Sequence, residues 1–330
     1  MGTYRYILAV LVLLSHAEGK LSGLSPGVFA VISFYLISGY VMTLLIAKHY
    51  EDPRRIGAFY LDRCLRLFPQ FIFYSVITLA LAATVTFWSR WLATCTGTDY
   101  VLNFLMLPIG YYKIFGNQCF IIPQAWSLGL ELTFYLVIPF VLLAQASAKW
   151  LASLSFVIFL AAYVGVLDTD LFGYRLLPGT LFMFLSGAAI AKPTLFWRGQ
   201  LLFFWGLCAL MFVGLFAFPS LMALKHNGEV LLGFLVGLPA LAILSRLRFS
   251  DFDEFAGNLS YGVFLNHFVF VYVFRAFGYN KEYGLVDYVI LIGLSTFAAI
   301  LSYYLVERPA LLMRRGLRSQ AQHSAAEPAL

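Results

Sequence analysis

The dominant pattern in this sequence is a series of long apolar runs separated by short polar turns. At about 1.5 Å of rise per residue, some 20 apolar residues cross the roughly 30 Å apolar core of a bilayer as a helix. The runs cover residues 7–17, 27–47, 67–88, 126–146, 151–167, 174–191, 201–218, 230–244, 259–277 and 285–306. They predict an all-α, polytopic integral membrane protein, a bundle of about ten transmembrane helices. The eighth run is short unless its helix begins nearer His226.

The first run also has the outline of a secretory signal peptide, because a basic residue precedes its apolar stretch. No small-x-small cleavage site follows it cleanly, and His16 and Glu18 interrupt it. We therefore interpret it as a retained first helix. We expect residues 1–318 to form a single transmembrane domain and the small, polar residues 319–330 to form a disordered cytoplasmic tail.

Composition supports the membrane class and excludes a soluble globule. Hydrophobic residues make up 62% of the 330 residues and charged residues only 12%, too few to cover a soluble surface of that size. The formal charge of +6 therefore bears on membrane topology, and the sequence has no basic stripe that indicates a nucleic acid partner. We expect none.

The basic residues fall mainly on one side when the turns are assigned alternately. That side holds Lys48, Arg54, Arg55, Arg63, Arg66, Lys149, Lys192, Arg198, Arg246, Arg248, Arg308, Arg314, Arg315 and Arg318. The excess of lysine and arginine predicts that this side is cytoplasmic. Because the number of runs is even, both termini are expected there.

The connection after the third run, residues 89–125, is much longer than the others and lies on the predicted outer side. Its half-apolar piece, residues 100–112, either dips into the membrane or lies on it. Cys95 and Cys119 would then be in an oxidising compartment, which favours a disulfide over two free thiols. Cys64 and Cys208 are expected to stay reduced.

Two arginines precede the third apolar run. Arg63 and Arg66 are three residues apart, so they share one face of a helical turn and form a candidate anion site for phosphate or carboxylate. The competing interpretation is that they are ordinary topology signals at the cytoplasmic edge of a helix.

The first helix carries two more candidates. Arg5 and His16 are eleven residues apart, close to three helical turns, so they share one face and lie roughly 16 Å apart. Histidine is the side chain best suited to general-base work near neutral pH. The alternative is that His16 only hydrogen-bonds a neighbour at the outer interface. Glu18 points to a different side of the helix and is not assigned as its partner.

Three further ionisable residues lie within or at the end of apolar runs, where an unpaired group is costly. Glu131 needs a basic or hydrogen-bonding partner, and either orients an arginine or histidine or takes part in chemistry. His267 is expected to pack against a neighbouring helix, with Asn266 and Tyr261 as candidate partners. Glu307 is expected to cap or pair at the cytoplasmic face. The dispersed histidines and cysteines show no metal-ligand spacing, so no metal is expected.

Several segments together carry a family resemblance. In order along the chain they are Arg5 followed by His16, GVFAVISFYLISGYVMT, the RxxR of Arg63 and Arg66 followed by Pro69, WSLGLELTFYLVIP, and LSYGVFLNH. Each piece is weak alone, but the combination resembles the acyltransferase family 3 membrane proteins over almost the whole chain.

The resemblance implies a function. It implies transfer of an acyl group, most commonly acetyl, from cytoplasmic acyl-CoA to a hydroxyl on a carbohydrate at or beyond the outer face, in a bacterial inner membrane. The family's functional residues correspond to Arg5, His16, Arg63 and Arg66, and its tryptophan-and-glutamate motif to Trp126 and Glu131. The implied partners are acyl-CoA, a carbohydrate acceptor, the lipid bilayer and polysaccharide biosynthesis proteins.

The chemistry of these residues agrees with that implication. Arginines suit the phosphates of coenzyme A, and His16 could remove the proton of an acceptor hydroxyl or be acylated transiently. The sequence does not choose between these two roles. A transporter of a sugar or lipid-linked saccharide is the main alternative, although the sequence lacks the internal repeats that it predicts. A non-catalytic scaffold would leave the four candidate cationic residues without a role.

Overall fold

The computed structural model describes residues 1–17, 23–84, 91–92, 95–116, 118–277 and 283–314. In these residues all regular structure is helical, which confirms the predicted all-α class. The predicted tail at 319–330 and Glu18 lie outside the described residues.

Thirteen α-helices follow one another along the described chain. They are α1 (Gly2–His16), α2 (Pro26–His49), α3 (Ile56–Thr84), α4 (Gly97–Leu105), α5 (Tyr112–Phe115), α6 (Trp126–Leu143), α7 (Gln145–Tyr163), α8 (Leu177–Ala191), α9 (Gln200–Ala217), α10 (Pro219–Met222), α11 (Asn227–Leu244), α12 (Asp251–Ala276) and α13 (Leu285–Ser302). A π-helical turn, Leu171–Arg175, precedes α8. A second one, Tyr303–Glu307, extends α13 into a helical stretch that reaches Arg314.

Nine helices of the described chain are long and apolar enough to cross a membrane. With α1, which has 15 residues, they match the ten predicted runs in order. The helix of the eighth run, α11, begins at Asn227, close to the start near His226 that the short run led us to expect. Two predicted starts are wrong by eight residues or more. Helix α12 begins at Asp251 and not at Leu259, and α3 begins at Ile56 and not at Leu67, so Arg63 and Arg66 lie inside a spanning helix and not in a turn before it. Pro69 also lies within that helix.

The second helix lies inside the bundle, where α2 contacts α1, α6, α8 and α11. Its closest approach is to α8. A Cβ on Gly39 would overlap the backbone of Phe184, and a Cβ on Gly187 would overlap the backbone of Leu36. Small residues at these two positions let the helix backbones meet directly, which is how helices gain packing energy where burial from water supplies none.

The long connection between α3 and α6 is held by a disulfide, as predicted. Cys95 and Cys119 are bonded. The Asn103 amide donates to the Cys119 carbonyl at 3.0 Å and accepts from the Ile121 backbone N–H at 3.0 Å. These bonds fix the chain just before it enters α6 at Trp126. We call this end of the bundle the disulfide end and the opposite end, where Arg63 lies, the arginine end.

The half-apolar piece of this connection forms α4 and a 3₁₀ turn, Pro108–Tyr111. The turn packs directly on α6, because the nearest atoms to a Cβ on Gly110 would be the backbone of Gly129, at 2.8 Å. The segment therefore packs on the protein itself, and its contacts hold the start of α6 in place.

Breaking the disulfide should loosen this end of the bundle. We expect Cys119→Ser to lower the free energy of unfolding by about 2–4 kcal/mol, because the cross-link restricts the unfolded chain. Thermal unfolding of the detergent-solubilised protein, with and without reductant, measures the change. Cys64→Ser, at an exposed free cysteine, is the control and should behave as the unaltered protein does. Equal melting of all three proteins would contradict a stabilising cross-link.

Candidate active site

Two cavities of the described chain are lined by the candidate residues, one toward each end of the bundle. The first, of about 300 Å³, is lined by Arg5, Arg63, Arg66 and Arg314 among others, and we call it the arginine cavity. The second, of about 250 Å³, is lined by His16 and also by Ser25, Gln124 and Arg175, and we call it the histidine cavity.

The two cavities share part of their walls. Val31, Ser127 and Phe264 line both. Helix α1 connects the same two spaces, since Arg5 lines the arginine cavity and His16, eleven residues later, lines the histidine cavity. The predicted alignment of these two residues along one helix therefore places them in two cavities that share a wall.

The predicted arginine pair is present, but each member is already held by a carboxylate. Asp62 is fully buried and forms ion pairs with Arg63 and with Arg314, whose Nη2 lies 3.1 Å from its Oδ2. Arg66 pairs with Glu307, which confirms the expected pairing of that glutamate. These carboxylates fix the directions of three guanidiniums that face one cavity.

Arg5 differs from the other three arginines of this cavity. Neither an ion pair nor a side-chain hydrogen bond joins its guanidinium to any of the described residues. It faces the cavity with its donors available. Glu131 and Asp253 attract it at longer range.

Glu131 lines the arginine cavity, whereas His16 lines the histidine cavity. One of its carboxylate oxygens accepts from the Ser38 hydroxyl at 2.9 Å and from the Tyr135 hydroxyl at 2.5 Å. The expected hydrogen-bonding partners are thus two hydroxyl groups. The carboxylate adds one negative charge to a cavity whose other charged lining residues are arginines.

His16 is joined to a second histidine. Its Nδ1 lies 3.0 Å from the Val12 carbonyl oxygen and 3.2 Å from Nε2 of His267. Nδ1 of His267 in turn lies 3.1 Å from the Val263 carbonyl oxygen. The two rings are stacked, with centroids 5.2 Å apart. His267 is fully buried and therefore meets the predicted packing against a neighbouring helix.

These contacts determine the tautomer of His16. A carbonyl oxygen only accepts, so Nδ1 of His267 carries the proton donated to Val263. In a neutral ring, Nε2 of His267 is then an acceptor. The Val12 carbonyl also only accepts, so the single N–H on Nδ1 of His16 is shared between these two acceptors. The proton of neutral His16 is consequently on Nδ1. Its Nε2 keeps a lone pair and has no hydrogen-bond partner among the described residues.

The partners that the sequence suggested for His267 were wrong. Asn266 donates to the Ser295 carbonyl at 2.8 Å, and the Tyr261 hydroxyl donates to the Leu67 carbonyl at 2.8 Å. Neighbours along a helix point to different sides, so sequence proximity did not identify the contact, which crosses to α1.

Some residues of the site were not identified from the sequence. Asp62 directly precedes Arg63, and this acidic residue at membrane depth was an available signal. Arg314 gave none, because its cavity-facing position depends on the helical continuation beyond Glu307. Within the described ranges, no group of three or more His, Cys, Asp or Glu side chains could hold a metal ion.

Comparison with known proteins identifies a family. The family described as an acyltransferase domain matches residues 4–305. An uncharacterised protein of Aquifex aeolicus (strain VF5) is 36% identical over 154 residues, 45% of this chain and 69% of that protein. O-acetyltransferase OatA of Staphylococcus aureus (strain NCTC 8325 / PS 47) is 26% identical over 137 residues, 36% of this chain. The match spans only 21% of that protein's length. No solved structure matches the chain.

Removing the shared carboxylate should destabilise the arginine end. We expect Asp62→Ala to lower the free energy of unfolding by about 3–5 kcal/mol, because it leaves Arg63 and Arg314 buried together without their counter-charge. Thermal unfolding and expression level measure the loss. Glu51→Ala, at an exposed carboxylate of the same end, is the matched control and should change stability little. A normal melting temperature for Asp62→Ala would contradict the proposed role of this carboxylate.

Proposed function

Because the chain belongs to acyltransferase family 3, we propose that it moves an acyl group, acetyl in the first instance, from cytoplasmic acyl-CoA to a hydroxyl of a cell-envelope or exported carbohydrate. The supporting observation is the pair of cavities that meet at one wall, with cationic groups in one and a histidine in the other. The coarser conclusion, a multi-pass membrane acyltransferase, follows from the family and the apolar helices.

The arginine cavity is the donor site in this proposal. Coenzyme A carries phosphates, and guanidinium groups bind phosphate through paired, charge-assisted hydrogen bonds. Arg63, Arg66 and Arg314 supply positive charge in fixed directions, and Arg5 supplies donors that no described carboxylate occupies. Apolar residues such as Val41 in the same wall suit the uncharged arm of the thioester.

The orientation in the membrane follows from two features. The Cys95–Cys119 disulfide is expected in an oxidising compartment, which assigns the disulfide end to the outer side of a bacterial inner membrane. The arginine end then faces the cytoplasm, where acyl-CoA is available and where the excess of basic residues is expected. Both termini are cytoplasmic in this arrangement.

His16 is the reacting residue on the acceptor side. Its Nε2 takes the proton of the acceptor hydroxyl, the oxygen bonds to the thioester carbonyl carbon, and the carbon–sulfur bond breaks. The coenzyme A thiolate that leaves takes the proton back from the imidazolium. The thioester must therefore reach the wall formed by Val31, Ser127 and Phe264, which both cavities share.

A transiently acylated His16 is the second route, and the same lone pair at Nε2 serves it. The two routes differ in one observable. The acyl-histidine route leaves label on the protein when acetyl-CoA is supplied without acceptor, and the direct route does not.

Glu131 acts on the donor side in this scheme. It is held by Ser38 and Tyr135 in the arginine cavity and attracts Arg5 at longer range, so it favours the charged form of that guanidinium. It does not contact His16, and we assign it no proton transfer with that residue.

The first test measures the roles of the two cavities separately. In membranes supplied with labelled acetyl-CoA, we expect His16→Ala to lower the turnover rate about 100-fold to 10,000-fold, the usual contribution of a general base. We expect Arg5→Gln mainly to raise the KM for acetyl-CoA, because it removes unpaired donors. His49→Ala and Arg54→Gln are the matched controls. Transfer at the normal rate in His16→Ala would contradict its role, and uptake of a saccharide without transfer would favour a transporter.

The second test concerns His267, which acts through His16 as a positioning residue. We expect His267→Phe to lower kcat by roughly 10-fold to 100-fold, as losses of orienting partners do, with KM for acetyl-CoA unchanged. His267→Gln retains an oxygen that can accept from Nδ1 of His16 and should recover part of the rate. Melting temperatures of both variants control for folding. Equal loss in the two variants would contradict positioning through a hydrogen bond.

A further inference from the structure

Besides His16, and His226 whose Nε2 lies 3.4 Å from Asp170, two side chains that line the histidine cavity each carry a buried polar atom without a hydrogen-bond partner among the described residues. One is Oε1 of Gln124, a side chain that is only 2% exposed. Its amide nitrogen donates to the carbonyls of Phe264 and Leu265 at 2.8 and 3.0 Å, which fixes the oxygen on the opposite side. The other is Nη1 of Arg175. A buried acceptor and a buried donor left unpaired in one cavity indicate a ligand that pairs with both.

Arg175 is held rigidly in the cavity wall. Its Cζ lies 4.1 Å from the centroid of the Trp126 ring and 5.1 Å from that of Tyr174. Its Nε donates to Asp170 at 2.7 Å. The guanidinium is therefore oriented by stacking and by one hydrogen bond, while the hydrogen atoms on Nη1 have no acceptor among the described residues.

The carboxylate of Asp170 does not neutralise all the positive charge in this wall of the histidine cavity. Asp170 pairs with Lys113 and with Lys225, at 2.8 Å, as well as with Arg175. His226 also lies 3.4 Å from it. Burial alone would raise the pKa of Asp170, but His226, Arg175 and the lysines outweigh burial and hold that pKa well below its usual range. One carboxylate is thus the counter-ion of three permanent cations.

A second carboxylate, Glu229, also lies close to this wall. It accepts the backbone N–H of Ser25 at 3.3 Å, and no ion pair joins it to Arg175 in the described structure. It therefore leaves the orphaned donor of Arg175 unsatisfied.

We propose that the histidine cavity binds an acceptor that carries an anionic group, a carboxylate or a phosphate, which Arg175 holds through Nη1. Oε1 of Gln124 accepts a hydrogen bond from a hydroxyl of the same molecule. This inference rests on the proposed function, because that function makes the bound hydroxyl the acceptor of the acyl group. It narrows the class of acceptor from any carbohydrate to an acidic carbohydrate. An arginine with one nitrogen on Asp170 and another on the ligand positions the acceptor without itself taking part in proton transfer.

Binding tests the anion site without requiring transfer. The full chain in lipid nanodiscs is titrated with glucuronic acid, with glucose 6-phosphate and with glucose as three separate probes. We expect at least one anionic probe to bind about tenfold or more tightly than glucose, as a charge-assisted hydrogen bond predicts. We expect Arg175→Gln to abolish that preference, whereas Arg198→Gln, at an exposed arginine, should preserve it. Preference for glucuronic acid alone identifies a carboxylate, preference for glucose 6-phosphate alone a phosphate, and preference for both a charge requirement only.

Equal binding of all three probes to the unaltered protein overturns the proposal, and so does a preference that survives Arg175→Gln. Melting temperatures distinguish loss of binding from loss of fold. Gln124→Leu supplies a second variant, which should weaken binding of all three probes because each carries a hydroxyl.

Transfer from labelled acetyl-CoA to the same three probes then separates this inference from the proposed function. Selective binding without any transfer would keep the anion site and contradict acyl transfer to these hydroxyls. Transfer to glucose as efficient as transfer to the anionic probes would keep the acyltransferase and overturn the anion site.

Discussion

The structure depends on one constraint, which is that a charge placed inside an apolar bundle must have its counter-charge beside it. Asp62 lies between Arg63 and Arg314, and Glu307 pairs with Arg66, so these contacts bind α3 to the helical continuation of α13. Because each of those three guanidiniums has a carboxylate beside it, they can face a cavity at lower cost, although two carboxylates leave one positive charge among the three. Arg5 remains as the cavity arginine without such a partner in the described chain, and it is therefore the one most available to a ligand.

Contacts between helices also hold His16 in place. Helix α1 is bound to α12 at both of its ends. At the arginine end the terminal amine and Asp253 form an ion pair at 2.7 Å, and at the other end His16 and His267 are 3.2 Å apart. A Cβ on Gly257 of α12 would lie 2.7 Å from Cα of Gly2, so the two helices also meet closely. A short helix fixed at both ends keeps the His16 ring in register with its partner and exposes one nitrogen to the cavity.

Sequence patterns predicted the parts of this structure that are local. Apolar run length predicted the ten helices, and the position of Cys95 and Cys119 in one connection that was expected on the outer side predicted their disulfide. Contacts between distant segments were not predictable in this way. The pairing of His16 with His267 joins residues 251 positions apart, and the orphaned donor on Arg175 becomes visible only when Trp126 is packed against it. Helical periodicity shows which residues share a face but not which face of another helix they meet.

We propose that the acyl group crosses from the arginine cavity to the histidine cavity, and the sidedness of transfer tests this proposal most directly. Inverted inner-membrane vesicles containing the protein receive labelled acetyl-CoA on the outside, which corresponds to the cytoplasmic face. We expect the label to become attached to glycan in the vesicle interior, where an esterase added outside cannot remove it until the vesicles are opened. Label that the outside esterase removes completely from sealed vesicles would place donor and acceptor on one side of the membrane and contradict the account.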